Sequence, residues 1–170
     1  MIKKMIKTLK NLLGITNKES EAIIEALKNP HIAHKLEKEI YMGIKVFKRD
    51  QAGEQLTPNF KAGEFFCKCG KCEDQHIHMG HVQKLQEFRE SLGKPITITS
   101  AYRCIVHNKN VGGSPRSQHV AGTATDIVVR GMTPSEVADK CEHFDGLGRY
   151  NTFTHLDSRG VKARWDFTKN

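Results

Sequence analysis

Two histidines and one aspartate are the residues whose types and spacing most clearly allow chemistry in this chain. His119 and Asp126 lie seven positions apart in one short stretch, and His155 follows in a second. Two imidazoles and one carboxylate form a three-ligand set for a catalytic zinc ion that keeps its fourth position open for water. The sequence therefore predicts a Zn²⁺ site made by these three side chains.

Short elements on either side must position the three ligands. Gly122 and Ala124 are small enough to let a loop turn closely beside a metal. Asp126 leads into the β-branched run at 127–129, which predicts a buried strand, and 153–157 predicts a last strand. Strand alternation places Asp157 on the same face as His155. Asp157 is therefore either the general base or a hydrogen-bond acceptor that supports a ligand histidine.

The rest of the second half alternates helices, a strand and a loop. Apolar spacing predicts a helix over 80–92 and a strand over 96–99. A capping box at Thr133 with Pro134 behind it predicts a helix running to about residue 143. Glycine and proline predict a loop over 104–118.

The first 50 residues predict a helical N-terminal extension, with a third helix around 32–46. A polar linker is expected over 51–55, followed by a catalytic domain over 56–170. The lysine-rich first helix could dock to a membrane surface or a partner. We favour a small helical bundle packed on the catalytic domain.

Composition fits a globular protein of 170 residues, with 38% hydrophobic residues and a mean hydropathy of −0.53. The net charge of +8 suits an anionic surface such as a cell wall, and nucleic acid is an unlikely partner because no nucleic-acid motif stands out. No signal peptide is expected, since lysines interrupt the apolar start. We therefore expect synthesis in the cytoplasm.

An ordered series of motifs resembles the zinc D-Ala-D-Ala carboxypeptidase family, which shares its fold with lysostaphin-type peptidases and the Hedgehog signalling domain. The matching residues are Ser100 to Arg103, Asn108, Val111 to Gly113, Ser117, His119, Gly122, Ala124, Asp126, Gly146, Gly148, Tyr150, His155, Asp157 and Arg164 to Asp166. Short phage or prophage endolysin-type peptidases look similar.

The resemblance implies an α+β domain of the Hedgehog/DD-peptidase kind, with a small mixed or antiparallel sheet and flanking helices. It implies a zinc-dependent peptidase that cuts peptidoglycan stem or cross-bridge peptides, as a D,D-carboxypeptidase or an endolysin-type endopeptidase. Arg103 would bind substrate and steady developing negative charge, and Ser117 would orient substrate or the ligand loop. Such a protein would reach the wall after release or as a virion component.

The sequence departs from this family at the general base. Some branches carry a glutamate three residues before the last histidine ligand, and others a histidine two residues before it. Here Thr152 and Phe153 occupy those positions. This leaves Asp157 as the nearest candidate, with His107 and His143 as weaker ones. It also keeps open a non-catalytic zinc-binding structural or recognition module of a phage particle or cell wall.

Three cysteines within six residues, at Cys67, Cys69 and Cys72, are a second constellation. They resemble half of a structural zinc site whose fourth ligand is His76, His78, Cys104 or Cys141. Buried free thiols and a disulfide to Cys104 compete with this interpretation. A second, structural zinc is possible, and we do not favour it from the sequence.

Overall fold

The computed structural model describes residues 42–168 continuously, together with residues 16, 18, 21–22, 25 and 28–32. The chain divides into two compact units, Met1–Tyr41 and Met42–Asn170. In the first unit, described helical positions include 21–22, 25 and 30–32, and Lys28 pairs with Glu25 at 2.5 Å. The predicted lysine-rich first helix lies outside the described residues, so the extension stays a prediction.

The second unit begins well before residue 56, the predicted start of the catalytic domain. Strand β1 (Ile44–Phe47) pairs with β4 (Gln75–His78), and a 3₁₀ helix follows at Arg49–Gly53. The predicted third helix is therefore wrong over 44–46, because pairing with β4 satisfies this backbone as a strand. The predicted linker at 51–55 is likewise part of this unit.

A two-stranded hairpin, a second 3₁₀ helix and one long helix complete the first part of this unit. The hairpin consists of β2 (Gln55–Thr57) and β3 (Phe60–Lys61), and the 3₁₀ helix spans Ala62–Phe65. Helix α1 (Met79–Leu92) buries Val82, Leu85 and Phe88, and Gly93 ends it in the left-handed conformation. Among the described residues, no helix is long and apolar enough to cross a bilayer.

Five strands form the central sheet in the order β5-β6-β8-β7-β9. They are β5 (Ile96–Ser100), β6 (Ala124–Val129), β7 (Gly146–Arg149), β8 (Thr154–Asp157) and β9 (Ala163–Asp166). Neighbouring strands are antiparallel except for β7 and β9, which run parallel. The predicted α+β fold with a small mixed sheet is confirmed.

The structure differs from the sequence-based elements at three places. Residues Ile105–Asn110 form α2 within the predicted loop, with the Cys104 sulfur capping its start. Helix α3 (Pro134–Asp139) is shorter than predicted because tight turns beyond it carry Cys141 and Phe144 into the core. Strand β9 follows the strand that we predicted to be the last.

The two faces of the sheet carry different kinds of side chain. On β6 and β8, Ile127 and Leu156 point into the core that also contains the buried residues of α1. Asp126 and His155 alternate with them and therefore point to the opposite face. One face is thus an apolar core and the other carries the predicted ligands.

Gly146 lies opposite Asp157 in the β7–β8 ladder, and a Cβ there would meet the Asp157 carboxylate at 2.1 Å. We expect Gly146→Ala to lower the free energy of unfolding by roughly 1–3 kcal/mol, because the overlap forces the buried carboxylate aside. Urea unfolding measures this. The matched control is Gly53→Ala, where a Cβ has open space and the change should stay within about 0.5 kcal/mol. Equal effects of the two substitutions would contradict the close packing.

Candidate metal centre and active site

The three predicted ligands meet at one point. Asp126 on β6 and His155 on β8 are direct cross-strand partners, and their Oδ1 and Nδ1 atoms lie 2.8 Å apart. His119 comes from the loop before β6, and its Nε2 lies 3.2 Å from both of those atoms. All three side chains are buried.

Hydrogen bonds on the outer side of each ligand turn a lone pair or a charge inward. His119 Nδ1 donates to the Ala101 carbonyl at 2.7 Å, so the neutral ring presents an unprotonated Nε2 to the centre. His155 Nε2 donates to Asp157 Oδ2 at 3.1 Å, which leaves Nδ1 facing inward. Asp126 Oδ2 accepts from Arg103, so Oδ1 is the oxygen left for the centre.

The charge state of the centre follows from burial and these contacts. Burial lowers the pKa of His119 and keeps the ring neutral. Burial alone would raise the pKa of Asp126, but hydrogen bonds with His119 and His155 outweigh it and hold the pKa well below its usual range. Burial opposes protonation of His155, yet its contacts with Asp126 and Asp157 raise the pKa. The ionised Asp126 oxygen between two imidazole nitrogens therefore favours a cation at the centre.

The donor set and its size fit a zinc ion. Zinc takes histidine nitrogen and carboxylate oxygen at about 2.0–2.2 Å, which sets tetrahedral ligand atoms roughly 3.3 Å apart. The inner atoms here lie 2.8 to 3.2 Å apart. Small outward movements of the side chains would seat the ion with one position left open.

Arg103 supports the centre as well as lining the cleft beside it. Its Nη2 donates to Asp126 Oδ2 at 2.6 Å and its Nε donates to Ser100 Oγ at 2.9 Å. Its side chain retains 17% exposure, and its Nη1 has no hydrogen-bond acceptor among the described residues. The same guanidinium can therefore hold a ligand in place and offer one edge to a bound molecule.

Asp157 lies behind His155, on the side of the ring away from the three inner atoms. Its Oδ2 accepts from His155, and it forms a two-pronged pair with Arg159 through Nε at 2.8 Å and Nη2 at 2.5 Å. Hydrogen bonds from His155 and Arg159 outweigh burial and lower the pKa of Asp157 well below its usual range. This position favours the supporting role over direct proton transfer.

Ser117 organises the loop that carries His119. Its Oγ accepts from the His119 backbone N–H at 3.2 Å, and its own N–H donates to the Ser114 carbonyl at 3.0 Å. Gly122 closes the same loop with φ of +74°, and a Cβ there would meet the His76 carbonyl oxygen at 2.4 Å. Only glycine combines this conformation with so close an approach.

A cleft of about 730 Å³ opens over the centre. Its polar wall includes Arg103, Arg116, Ser117 and Arg159, and its aromatic wall consists of Tyr150, Phe153, Trp165 and Phe167. Tyr150 stacks on Phe153 at 4.3 Å, and Trp165 Nε1 donates to the Tyr150 hydroxyl at 3.1 Å. A Cβ on Gly148 would meet Trp165 at 2.3 Å, so this glycine makes room for the indole.

Sequence reasoning did not assign cleft positions to Arg116, Arg159 or Phe167. The spacing of Arg159, two residues beyond Asp157, was a signal for an ion pair. Arg116 and Phe167 lie outside the helices and strands. The spacing of apolar residues does not predict the backbone path of such segments. His107 and His143, the weaker candidates for the base, do not line the cleft. His143 packs against Phe144 at 4.6 Å instead.

The described lining residues include no glutamate and no histidine other than the two ligands. The general base of the family branches described above thus has no counterpart in this part of the chain. The sequence had already placed Thr152 and Phe153 at the relevant positions.

A second group of possible ligands lies apart from this centre. Cys67, Cys69, Cys72 and Cys104 bring their sulfur atoms within 4.8 Å of one another, whereas Cys141 is buried in the core. Backbone N–H groups of Lys71 and Cys72 lower the pKa of the Cys69 thiol to about 6.

A buried three-ligand centre that opens on a cleft, carried by a small α+β domain, is typical of metal-dependent hydrolases. A family model described as Peptidase M15 matches residues 58–157, which is more than half of the chain. The chain therefore belongs to the peptidase M15 family, as the motif series predicted.

One curated relative is a zinc D-Ala-D-Ala carboxypeptidase from Streptomyces albus G, 44% identical over 45 residues. The matched stretch covers 26% of this chain and 18% of that protein, so this chain spans less than a fifth of the relative. The family and the donor set together identify Zn²⁺ as the cofactor of the centre.

Asp157→Asn separates the two roles that the sequence left open for this residue. If Asp157 supports His155, zinc affinity should fall about 10- to 100-fold, while kcat at saturating zinc changes little. Zinc titration and kcat measured over added zinc report both quantities. The matched control is Asp139→Asn, which removes the surface partner of Arg149, 2.6 Å away. A kcat loss of about 100-fold or more with unchanged zinc affinity would instead identify a proton carrier.

Proposed function

We propose that this chain hydrolyses peptide bonds in the stem or cross-bridge peptides of bacterial peptidoglycan, as a D,D-carboxypeptidase or an endopeptidase. The observation that carries the proposal is the His119, Asp126 and His155 centre at the floor of a cleft with arginines on one wall. Family membership and the name of the Streptomyces relative support the reaction and the substrate class.

Each side chain around the centre has a task in such a reaction. A zinc ion in a three-ligand site supplies a Lewis acid and an activated water. Arg103, whose Nη1 has no acceptor among the described residues, would hold the substrate carbonyl or the developing oxyanion. Asp157 fixes the orientation of the His155 ring, and Arg159 keeps Asp157 ionised.

The charge of the cleft supports an anionic peptide. Arg103, Arg116 and Arg159 line it, and Asp126 is its one acidic lining residue in the described chain. A terminal carboxylate, or a carboxylate within a stem peptide, would find guanidinium groups in this wall. The aromatic wall formed by Tyr150, Phe153, Trp165 and Phe167 would pack against apolar parts of the same molecule.

A non-catalytic zinc-binding module is the second candidate. The observation that favours it is the lack of a glutamate or a non-ligand histidine among the described cleft residues. Such a module would hold zinc and bind wall peptides without cutting them. In either case we propose action at the cell wall, reached after release from the host cytoplasm or as part of a virion, as in endolysin-type proteins.

Digestion of purified peptidoglycan tests the proposal and distinguishes the two candidates. We expect muropeptides that shift in mass by hydrolysis, with activity lost on chelation and restored by zinc. Release of free D-alanine indicates a carboxypeptidase, and separated cross-linked stems indicate an endopeptidase. His119→Ala, which removes a ligand, should abolish turnover. Full zinc content without any product from peptidoglycan or a D-Ala-D-Ala peptide would contradict the proposed peptidase activity and favour the binding module.

Arg116 provides a test of the cationic wall, since its exposed side chain lines the cleft without touching the ligands. We expect Arg116→Gln to raise KM about two- to five-fold for a peptide with a free terminal carboxylate, the size of one exposed charge contact. The same peptide with a C-terminal amide should lose this difference. Arg130→Gln is the control, because Arg130 is exposed outside the cleft. Equal effects of both substitutions would contradict a specific carboxylate contact.

A further inference from the structure

Four cysteines from two distant segments converge at a place separate from the catalytic centre. Cys67, Cys69 and Cys72 lie in the loop between the second 3₁₀ helix and β4, and Cys104 precedes α2. All four sulfur atoms lie within 4.8 Å of one another. The sulfur of Cys69 is 3.4 Å from that of Cys72 and 3.9 Å from that of Cys104. The sequence left the fourth ligand open, and the fold brings Cys104 to that position.

We propose that these four thiolates bind a second zinc ion, in a closed tetrahedral site that is structural. A Zn–S distance of about 2.3 Å places the sulfurs of such a site roughly 3.8 Å apart, close to the 3.4 and 3.9 Å observed here. Four thiolates fill every position of the ion and leave none for water, unlike the three-ligand centre.

Backbone N–H groups point at the sulfurs from several sides. Cys67 Sγ accepts from the Cys104 N–H at 3.3 Å, and Cys104 Sγ accepts from the His107 N–H at 3.4 Å. Cys69 Sγ accepts from the N–H groups of Lys71 and Cys72 at 3.4 and 3.5 Å. Such donors stabilise negative charge on sulfur, so the backbone is arranged for thiolates.

Two polar side chains hold the loop in the shape that the site needs. Gln75 is fully buried, accepts from the Cys67 N–H at 2.7 Å and donates to the Cys72 carbonyl at 2.6 Å. Arg49 donates to the carbonyls of Cys67 and Cys72 at 2.9 and 2.7 Å, and its Nη2 lies 3.6 Å from Cys72 Sγ. A tetrathiolate zinc carries a net charge of −2, and the Arg49 guanidinium offsets part of it.

The site would connect the loop to the exit of β5, beside the active site. Cys104 follows Arg103, whose guanidinium holds Asp126, and Tyr102 donates from its N–H to the Phe65 carbonyl at 3.1 Å. A metal bound by the cysteines would fix Cys104, and the Tyr102 hydrogen bond already holds the other end of the 102–104 stretch. Its task is therefore to hold the segment that presents Arg103, without contact with substrate.

Metal counting on the full chain tests the proposal independently of any activity. In protein prepared with zinc under reducing conditions, elemental analysis should give two zinc ions per chain. Cys69→Ala, Cys104→Ala and His119→Ala should each give one, and Cys141→Ala, the cysteine outside the cluster, should keep two. One zinc in the parent protein that Cys69→Ala retains and His119→Ala loses, or two in Cys69→Ala, would overturn the second site.

Cobalt spectra keep the test decisive if a cysteine variant fails to fold. Co²⁺ added to the metal-free parent protein should give intense thiolate-to-metal absorption, and His119→Ala should retain it, because the histidine centre contains no sulfur. Cys141→Ala should also retain it. Absence of this absorption at two equivalents of Co²⁺, or a disulfide within the cluster in reduced preparations, would overturn the proposal. Neither result would affect the function proposed for the histidine centre.

Discussion

The buried carboxylate of Asp126 is the charge on which the catalytic centre depends. A carboxylate in this position is costly unless donors or cations surround it. Arg103 takes one oxygen at 2.6 Å, and the rings of His119 and His155 lie at 3.2 and 2.8 Å from the other. A zinc ion held by His119, Asp126 and His155 would offset the charge of the oxygen that faces the histidines. Metal binding and the stability of this part of the sheet are therefore coupled, because a bound cation would offset the buried charge of Asp126.

The register between β6 and β8 fixes the positions of two of the three ligands relative to each other. Asp126 and His155 are cross-strand partners, so a slip of one residue in β8 would send His155 into the core and Leu156 into the cleft. Gly146 and Gly148 on the neighbouring strand leave room for Asp157 and Trp165 on the same face. The Asp157 carboxylate and the Trp165 indole thus occupy space that side chains at these two positions would fill. Two of the three ligands lie on strands of the sheet, where side chains are positioned more precisely than on loops.

The sequence alone could predict the ligands and the face on which they lie, because both follow from residue type and period-two alternation. It could also predict α1 and β5, whose apolar spacing is regular. It could not predict β1. The strand forms because Ile44–Phe47 pairs with β4, and β4 is too distant in sequence for a local pattern to indicate the pairing. The cleft positions of Arg116 and Phe167 depend on the paths of irregular segments. The choice of Cys104 over His76, His78 or Cys141 required the packing of β5 against the second 3₁₀ helix.

Adjacent residues connect the two clusters of metal-binding side chains. Arg103 faces the catalytic centre through Asp126, and Cys104 faces the thiol cluster through its sulfur and its N–H on Cys67. The backbone between them is further held by the Arg103 N–H on the His119 carbonyl at 3.1 Å. A displacement of Cys104 would therefore move the arginine and one zinc ligand together. Arg103 keeps Asp126 in place at 2.6 Å, and under the proposed function it also offers an edge to substrate, so that function requires a fixed backbone at this point. A metal bound by the four cysteines would help to fix this backbone from outside the cleft, away from the three-ligand centre.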